Sequence, residues 1–321
     1  MRGKNAKKPL RLLVTVILAA VVFSAAGWIA LSVSAAGKTP AVPVLIYHDF
    51  WGNASDDNNR FTSGARFAAE MEYLYSNGYH VIPLKKLINH MQYGEELPDK
   101  PVVITFDDGY EGNYTIAYPI LKRYNMPVTI FLIAGFDQYP AQEKEHPRLT
   151  WDEMREMEKS GLIDIQAHTY DLHYKAFTNR EKTSKKPAVV ARMYLFDKER
   201  LETREEYEDR LYGDFIKARA AIRANLGKEA DTLAWPFGAY NDTALTLARK
   251  AGFKYFLTLR VGLNKQGDSV ETIRRISEKQ NIPVDEFAKL VEPDYFYIRH
   301  FLKVIDSYKD HMVNALPVFA V

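Results

Sequence analysis

The stretch that decides the fold is residues 101–110, which read PVVITFDDGY. Its first six residues are apolar or β-branched and predict a buried strand. Charge is costly inside a sheet, so Asp107 and Asp108 are expected where this strand ends. There the two carboxylates can flank one site, one on a metal ion and the other facing a water molecule. Because DDG is also common in turns, this stretch alone leaves both a turn and a site open.

The charge balance differs between the N-terminal end of the chain and the rest. Residues 1–38 hold six basic and no acidic residues, which leaves 37 basic and 41 acidic residues in the remainder. A mildly acidic body argues against a nucleic-acid partner.

The sequence contains no cysteine. Disulfides therefore cannot brace the fold, and no thiol can act as a metal ligand or nucleophile.

Residues 12–33 form an uncharged, mostly apolar stretch behind a basic segment that ends at Arg11. A bilayer-spanning helix needs ~20 such residues, and the basic flank predicts that the N-terminus lies in the cytoplasm. We therefore expect a single-pass protein of the cytoplasmic membrane, with its body on the extracytoplasmic side. The competing interpretation is a signal peptide cleaved near the small residues 33–35, which would release a secreted protein. We favour the retained anchor.

Downstream of this segment, strand patterns alternate with helix patterns. Such alternation predicts βα units in a parallel sheet or barrel, in which chemistry collects at the carboxyl ends of the strands. The predicted strands cover residues 42–49, 80–83, 101–106, 127–134, 162–167, 232–235, 255–259 and 272–276. The predicted helices cover residues 62–77, 84–91, 114–124, 151–161, 202–226 and 242–252.

Two histidines follow the strand at residues 162–167. His168 and His173 are five residues apart, a spacing that falls on neither one helix face nor one strand face, so they can converge only in a loop past the strand. With Asp108 they form a two-histidine, one-carboxylate set that suits a divalent metal ion with open positions. Zinc is the favoured ion, with nickel, cobalt or iron as alternatives. Asp107 is left as a general base for the water.

His48 ends the first predicted strand and is a candidate general acid for the leaving group. Taken alone, it also fits a structural histidine, because nothing near it in the sequence fixes its role.

Residues 174–200 interrupt the alternation with a polar segment that carries eight basic residues. A solvated loop and a flap beside an extended substrate both fit this segment.

Four motifs resemble those of the NodB-homology polysaccharide deacetylases, carbohydrate esterase family 4, in the branch that acts on poly-β-1,6-N-acetylglucosamine in biofilm systems. They are TFDDG at residues 105–109, His168 and Thr169 with His173, WPFG at residues 235–238, and VLIYH at residues 44–48. The resemblance implies that Asp107 is the base and that Asp108, His168 and His173 are metal ligands. It also implies that His48 is the catalytic acid. The arginine that usually precedes the proline of the third motif is absent, and Ala234 stands in its place.

The resemblance covers roughly residues 42–285 and implies a distorted (β/α) barrel with about seven strands. We expect three parts, namely a tail and anchor at 1–38, a catalytic domain at 39–285, and a C-terminal extension at 286–321 without an assigned role. The implied activity is metal-dependent removal of N-acetyl groups from a β-linked N-acetylglucosamine polysaccharide. Phe237, through its backbone N–H, and Tyr240 are the candidate oxyanion and substrate contacts. Peptidoglycan deacetylation and an inactive carbohydrate-binding protein are the alternatives.

Overall fold

A computed structural model describes residues 40–51, 61–136, 146–277 and 282–293 of the chain. The predicted membrane segment at residues 12–33 lies outside these ranges, as do residues 294–321 of the C-terminal extension. Among the helices within these ranges, none is long and apolar enough to cross a membrane.

The described residues form fourteen strands and seven α-helices. The strands are β1 (Val44–Tyr47), β2 (Phe50–Trp51), β3 (Thr62–Ser63), β4 (His80–Val81), β5 (Pro101–Asp108), β6 (Val128–Leu132), β7 (Ile163–Ala167), β8 (Lys175–Phe177), β9 (Lys185–Pro187), β10 (Tyr194–Leu195), β11 (Arg200–Leu201), β12 (Thr232–Ala234), β13 (Tyr255–Leu257) and β14 (Ile276–Ser277). The helices are α1 (Gly64–Ser76), α2 (Leu84–Tyr93), α3 (Tyr118–Tyr124), α4 (Trp151–Lys159), α5 (Arg204–Leu226), α6 (Asp242–Lys250) and α7 (Val284–Val291).

Seven strands form one sheet in the order β13-β12-β7-β6-β5-β1-β14, and β4 pairs with the start of β5. Every pairing in this sheet is parallel. A parallel bridge between Leu257 and Ile273 joins edge strand β13 to the segment that leads into β14. The predicted α/β fold of about seven strands is confirmed, and the expected distorted barrel takes the form of a curled half-barrel.

The eight residues of β5 are all buried. The apolar run predicts this for the first six, and the strand continues two residues further than predicted, through Asp107 and Asp108. Alternate residues of the strand face opposite sides. Ile104 joins the core cluster that includes side chains of α1, α4 and α5, whereas Val103 joins a second cluster that includes side chains of α2. Full burial of one such side chain contributes roughly 1.5–3 kcal/mol. Apolar cover on both faces therefore holds β5 in the interior and leaves only its carboxyl end for polar chemistry.

Strand register brings the predicted site residues to one edge of the sheet. Tyr47 of β1 pairs with Phe106 of β5, so the next residues along, His48 and Asp107, are neighbours across the two strands. Asp108 pairs with Leu132 of β6, which in turn pairs with Ala167 of β7. His168 follows Ala167 directly, so it lies at the same level of the sheet as Asp108.

Polar side chains fix the ends of the helices. A capping box begins α4, where Thr150 Oγ1 accepts from the Glu153 N–H and Glu153 accepts from the Thr150 N–H. Asn241 caps α6 through a 2.8 Å bond from the Ala244 N–H. A second capping box, formed by Thr203 and Glu206, begins α5. Each such cap typically stabilises a helix by ~1 kcal/mol.

Helix α7 runs across the predicted domain boundary between residues 285 and 286. Its Phe287 and Val291 are buried, and the Phe287 ring packs edge-on against Tyr73 of α1. Just beyond the helix, Glu292 accepts a 3.0 Å hydrogen bond from the Tyr79 hydroxyl. The first part of the C-terminal extension therefore belongs to the same core as the sheet.

Candidate active site

Asp108, His168 and His173 meet at the carboxyl edge of the sheet, and we call them the Asp–His–His cluster. Asp108 Oδ1 lies 3.5 Å from His168 Nε2 and 3.4 Å from His173 Nε2. One potential ligand atom from each residue lies within 4.8 Å of the others. Two ligands that each sit ~2.1 Å from one tetrahedral ion lie about 3.4 Å apart, so the spacing suits a zinc-sized ion. The predicted convergence of these three residues is confirmed.

The polar atoms of the cluster have the chemistry of metal ligands. Asp108 Oδ1 is buried and has no hydrogen-bond donor among the described residues. A buried carboxylate oxygen in that state is costly unless a cation compensates it. His168 Nδ1 lies 2.8 Å from the Ala234 carbonyl oxygen, which can only accept, so Nδ1 carries the hydrogen and Nε2 keeps its lone pair. Burial lowers the pKa of His168 to about 4, which keeps the ring neutral and able to bind a cation.

The backbone turns sharply at the positions that deliver these side chains. Asp108 and Thr169 both adopt left-handed conformations, with φ values of 74° and 70°. Such conformations cost roughly 1–3 kcal/mol each and persist where the surrounding structure enforces them, often at functional sites. The turn at Thr169 starts the loop that brings His173 back towards His168.

A buried carboxylate on α5 holds this histidine loop in place. Asp214 accepts hydrogen bonds from the backbone N–H groups of Tyr170 at 2.9 Å and Asp171 at 2.7 Å. Burial raises the pKa of Asp214 to about 6, against the lowering effect of these two bonds. Asp214 was not among the predicted site residues. It is 41 or more residues from the histidines in sequence, and a lone acidic residue in a charged helix carries no signal of such a contact.

Asp107 forms a buried, two-pronged ion pair with Arg275. The Arg275 Nη1 and Nη2 atoms lie 2.7 and 2.9 Å from the two Asp107 carboxylate oxygens. Burial raises the pKa of Asp107, but Arg275 and His168 lower it by more than burial raises it. The net result is a pKa of about 2, below the usual 3.8. Asp107 is therefore ionised at neutral pH, as a general base must be.

Arg275 takes the place of the arginine that is missing from the third motif, where Ala234 stands before the proline. It lies immediately before β14, next to β1 in the sheet, and its Nε donates to the Thr258 carbonyl oxygen at 3.1 Å. A signal was present in the sequence, because an arginine within an apolar strand pattern is almost never buried without an acidic partner. The identity of that partner was not readable, since 168 residues separate Arg275 from Asp107.

His48 lies at the same edge as the cluster and Asp107. Strand β1 runs between β5 and β14, and the His48 carbonyl oxygen accepts a 2.8 Å bond from the Asn113 side chain. The residue is half-buried, and its charge is among the influences that lower the pKa of Asp107. The strand register therefore places His48 beside Asp107 at the carboxyl edge, while its role as the catalytic acid stays a prediction.

The predicted oxyanion turn adjoins the cluster through Phe237. Its ring stacks on His173 with centroids 4.5 Å apart, and its φ is 57°. The hydrogen bonds of this turn come from the N–H groups of Gly238 and Ala239, which leaves the Phe237 N–H unused by the turn. Tyr240 instead stacks on the buried ring of Trp235, at 5.6 Å. Of the two, Phe237 is in contact with the cluster.

Replacing Arg275 with methionine is expected to lower the free energy of unfolding by ~3–5 kcal/mol, because it leaves the buried Asp107 carboxylate without its partner. Urea unfolding followed by circular dichroism measures this loss. Arg249→Met is the matched control, since Arg249 pairs with Glu271 at the surface, where a pair is worth ~1 kcal/mol or less. Equal losses in the two variants would contradict the importance of the buried pair.

The same pair predicts a pH dependence. The pKa of Asp107 is lowered from 3.8 to about 2 by folding, so this stabilisation is fully present above pH 3.8 and is lost as the pH falls through 2. Urea unfolding at pH 5 and at pH 2 is therefore expected to show a smaller loss of stability for Arg275→Met than for the parent protein.

An ionised aspartate beside a cluster with the donor set of a metal site, at the carboxyl edge of a curled parallel sheet, is the arrangement of a hydrolase. Residues 94–256 match the family described as polysaccharide deacetylase. The chain belongs to the polysaccharide deacetylase family.

Known proteins of similar sequence support this assignment. The chain is 31% identical over 254 residues to the poly-β-1,6-N-acetyl-D-glucosamine N-deacetylase of Escherichia coli K12, which covers 75% of this chain but only 38% of that protein. The protein of the same name from Staphylococcus aureus MSSA476 is 29% identical over 212 residues, 65% of each chain. The chain thus spans well under half of one relative and about two thirds of the other.

Solved structures share the fold. A de-N-acetylase from Aggregatibacter actinomycetemcomitans matches with a TM-score of 0.69 and 31% identity, over 78% of this chain and all of that one. The BpsB deacetylase domain from Bordetella bronchiseptica matches with a TM-score of 0.64 and 27% identity, over 74% of this chain and 95% of that one.

Proposed function

We propose that this protein removes N-acetyl groups from a β-1,6-linked N-acetylglucosamine polysaccharide. The observation that carries the proposal is the buried, ionised Asp107 held by Arg275 next to the Asp–His–His cluster. This pairing of a base with a metal-type donor set suits hydrolysis of an amide. The names of the related proteins supply the choice of polymer.

Each residue has a distinct task in this proposal. A divalent metal held by Asp108, His168 and His173 would polarise the acetyl carbonyl and acidify a water molecule. Asp107 would accept the proton of that water, with Arg275 fixing its carboxylate. The Phe237 N–H would donate to the developing oxyanion. His48 would protonate the glucosamine nitrogen, which is a poor leaving group until it is protonated.

Acetate release by the purified full-length protein tests this function. We expect release from β-1,6-linked N-acetylglucosamine oligomers, with loss on treatment with a chelator and recovery on addition of zinc. Faster release from peptidoglycan fragments would favour the peptidoglycan alternative. Binding of the oligomers without any release would identify an inactive carbohydrate-binding protein.

Replacing His48 with alanine is expected to lower turnover by ~10²–10⁴-fold, the usual contribution of a positioned acid. Metal content and polymer binding should not change, because His48 is not part of the cluster. An aryl acetate ester has a leaving group that needs no protonation. The variant's turnover of this ester should therefore fall much less than its turnover of the amide substrate. Near-parental turnover of the amide would return His48 to a structural role.

We also propose that residues 12–33 tether the catalytic body to the outer face of the cytoplasmic membrane, on the strength of their apolar length and basic flank. Fractionation of expressing cells, with sequencing of the N-terminus, tests this. We expect the intact chain in the membrane fraction. Mature protein that begins near Ala36 in the culture medium would disprove the anchor.

A further inference from the structure

The insertion between β7 and α5 carries chemistry that the proposed mechanism does not use. Residues 174–200 hold eight basic and three acidic residues. They fold into two short antiparallel ladders, β8 with β9 and β10 with β11. Neither ladder is part of the parallel sheet. The insertion is thus an ordered addition beside the sheet.

Three aromatic rings pack together on this insertion. The ring centroid of Phe196 lies 6.1 Å from that of Phe177 and 5.0 Å from that of Tyr194, and Phe196 is 45% exposed. Lys182 Nζ lies 4.7 Å from the centre of the Phe196 ring, and Lys185 Nζ lies 4.4 Å from the centre of the Phe177 ring. We call these five residues the aromatic–lysine platform.

Some cations of the insertion pair with acidic residues, but within the described part of the chain Lys182 and Lys185 of the β8–β9 hairpin do not. Lys198 and Arg200 both pair with Glu206. By contrast, Lys182 and Lys185 form no ion pair with any residue in the described ranges. Their ammonium groups lie against aromatic faces and keep hydrogen-bond donors available for a ligand.

The platform is continuous with the Asp–His–His cluster. Phe237 stacks on His173, and Lys175 Nζ lies 5.6 Å from the centre of the Phe237 ring. Lys175 and Phe177 are alternate residues of β8, so their side chains lie on the same face of that strand. A ligand with one unit at His173 can therefore extend along Phe237 and Lys175 to Phe177.

We propose that the aromatic–lysine platform is a remote subsite for further N-acetylated sugar units of the chain whose reacting unit lies at the cluster. This inference rests on the proposed function. Flat rings bind the apolar faces of pyranoses, and the lysines can donate to hydroxyl and acetyl oxygens. A unit that has lost its acetyl group carries a positive charge, which the lysines repel. The platform therefore favours acetylated over deacetylated segments.

Chain-length dependence of acetate release by the full-length protein tests the platform. Phe196→Leu keeps apolar volume but removes the flat ring, and we expect kcat/KM on a long N-acetylated oligomer to fall roughly 3- to 10-fold through KM. Turnover of a disaccharide should not change. Phe196→Trp should retain parental kinetics on both substrates. Tyr93→Leu, which alters a 76% exposed ring at the end of α2, is the matched control.

The charge selectivity has its own measurement. Fully deacetylated oligomers should bind the parent protein more weakly than acetylated oligomers do, and this difference in affinity should narrow in a variant with both Lys182→Gln and Lys185→Gln. Unchanged long-oligomer kinetics in Phe196→Leu would overturn the subsite. An effect seen only with phosphatidylglycerol vesicles present would overturn it too, and assign the platform to a membrane surface. Absence of acetate release by the parent protein from any substrate would instead refute the proposed function.

Discussion

Replacing His168 with alanine is expected to abolish metal retention and acetate release together. His168 is 2% exposed, and its Nδ1 hydrogen bond to Ala234 directs Nε2 towards Asp108. Loss of the ring leaves two ligands where three converge. Changes to groups that only orient a ligand typically cost 10- to 100-fold in metal affinity, so loss of the ligand itself should cost more than ~100-fold.

Metal content of the purified protein, measured by mass spectrometry, checks this expectation beside an acetate assay. His80→Ala is a suitable control, since His80 is an exposed residue of β4 whose ring bonds the Asp99 carbonyl oxygen. The control should keep metal and activity. A His168→Ala protein that retains a full equivalent of metal would show that the cluster is not the metal site.

The local part of this site could be predicted from the sequence because it depends on residues close together in the chain. The apolar run of β5 ends at Phe106, and the cost of burying charge predicts that Asp107 and Asp108 lie at the carboxyl end of the strand. The five-residue spacing of His168 and His173 required a loop, and the left-handed Thr169 provides its first turn. Parallel pairing then brings the two segments to one edge.

The contacts that hold the site could not be predicted in this way. Arg275 reaches Asp107 only because β14 pairs with β1, and that pairing depends on how the sheet curls. Asp214 supports the histidine loop from the middle of α5, where its sequence neighbours show no trace of the contact. Both are buried polar interactions between distant segments, and no local propensity encodes them.

Replacing Asp107 with asparagine is expected to lower turnover by ~10⁴-fold, at the upper end of the contribution of a general base. The pKa of Asp107 is about 2, so the parent protein has the base ionised throughout the neutral range, and no change of pH can restore it in the variant. Metal content should be unchanged, because Asp107 Oδ2 lies 4.0 Å from His168 Nε2 and Asp107 is not part of the cluster.

Asparagine also disturbs Arg275, and this effect must be separated from the loss of the base. The oxygen of the side-chain amide can accept from one Arg275 nitrogen, but the NH₂ group faces the other nitrogen. The buried guanidinium therefore loses one hydrogen-bond acceptor and the negative charge that neutralised it. The double variant Asp107→Asn with Arg275→Met removes both charges. Replacing a buried ion pair with neutral groups is often close to neutral for stability, so the double variant should unfold at a higher urea concentration than Asp107→Asn alone.

Turnover in the double variant should nevertheless stay as low as in Asp107→Asn. Recovery of stability without recovery of acetate release separates the chemical role of Asp107 from its structural one, since a purely structural aspartate would be dispensable once Arg275 is also neutral. If Asp107→Asn loses its metal along with its activity, then Asp107 is a ligand rather than the base. The tasks of the two adjacent aspartates would then have to be exchanged or shared.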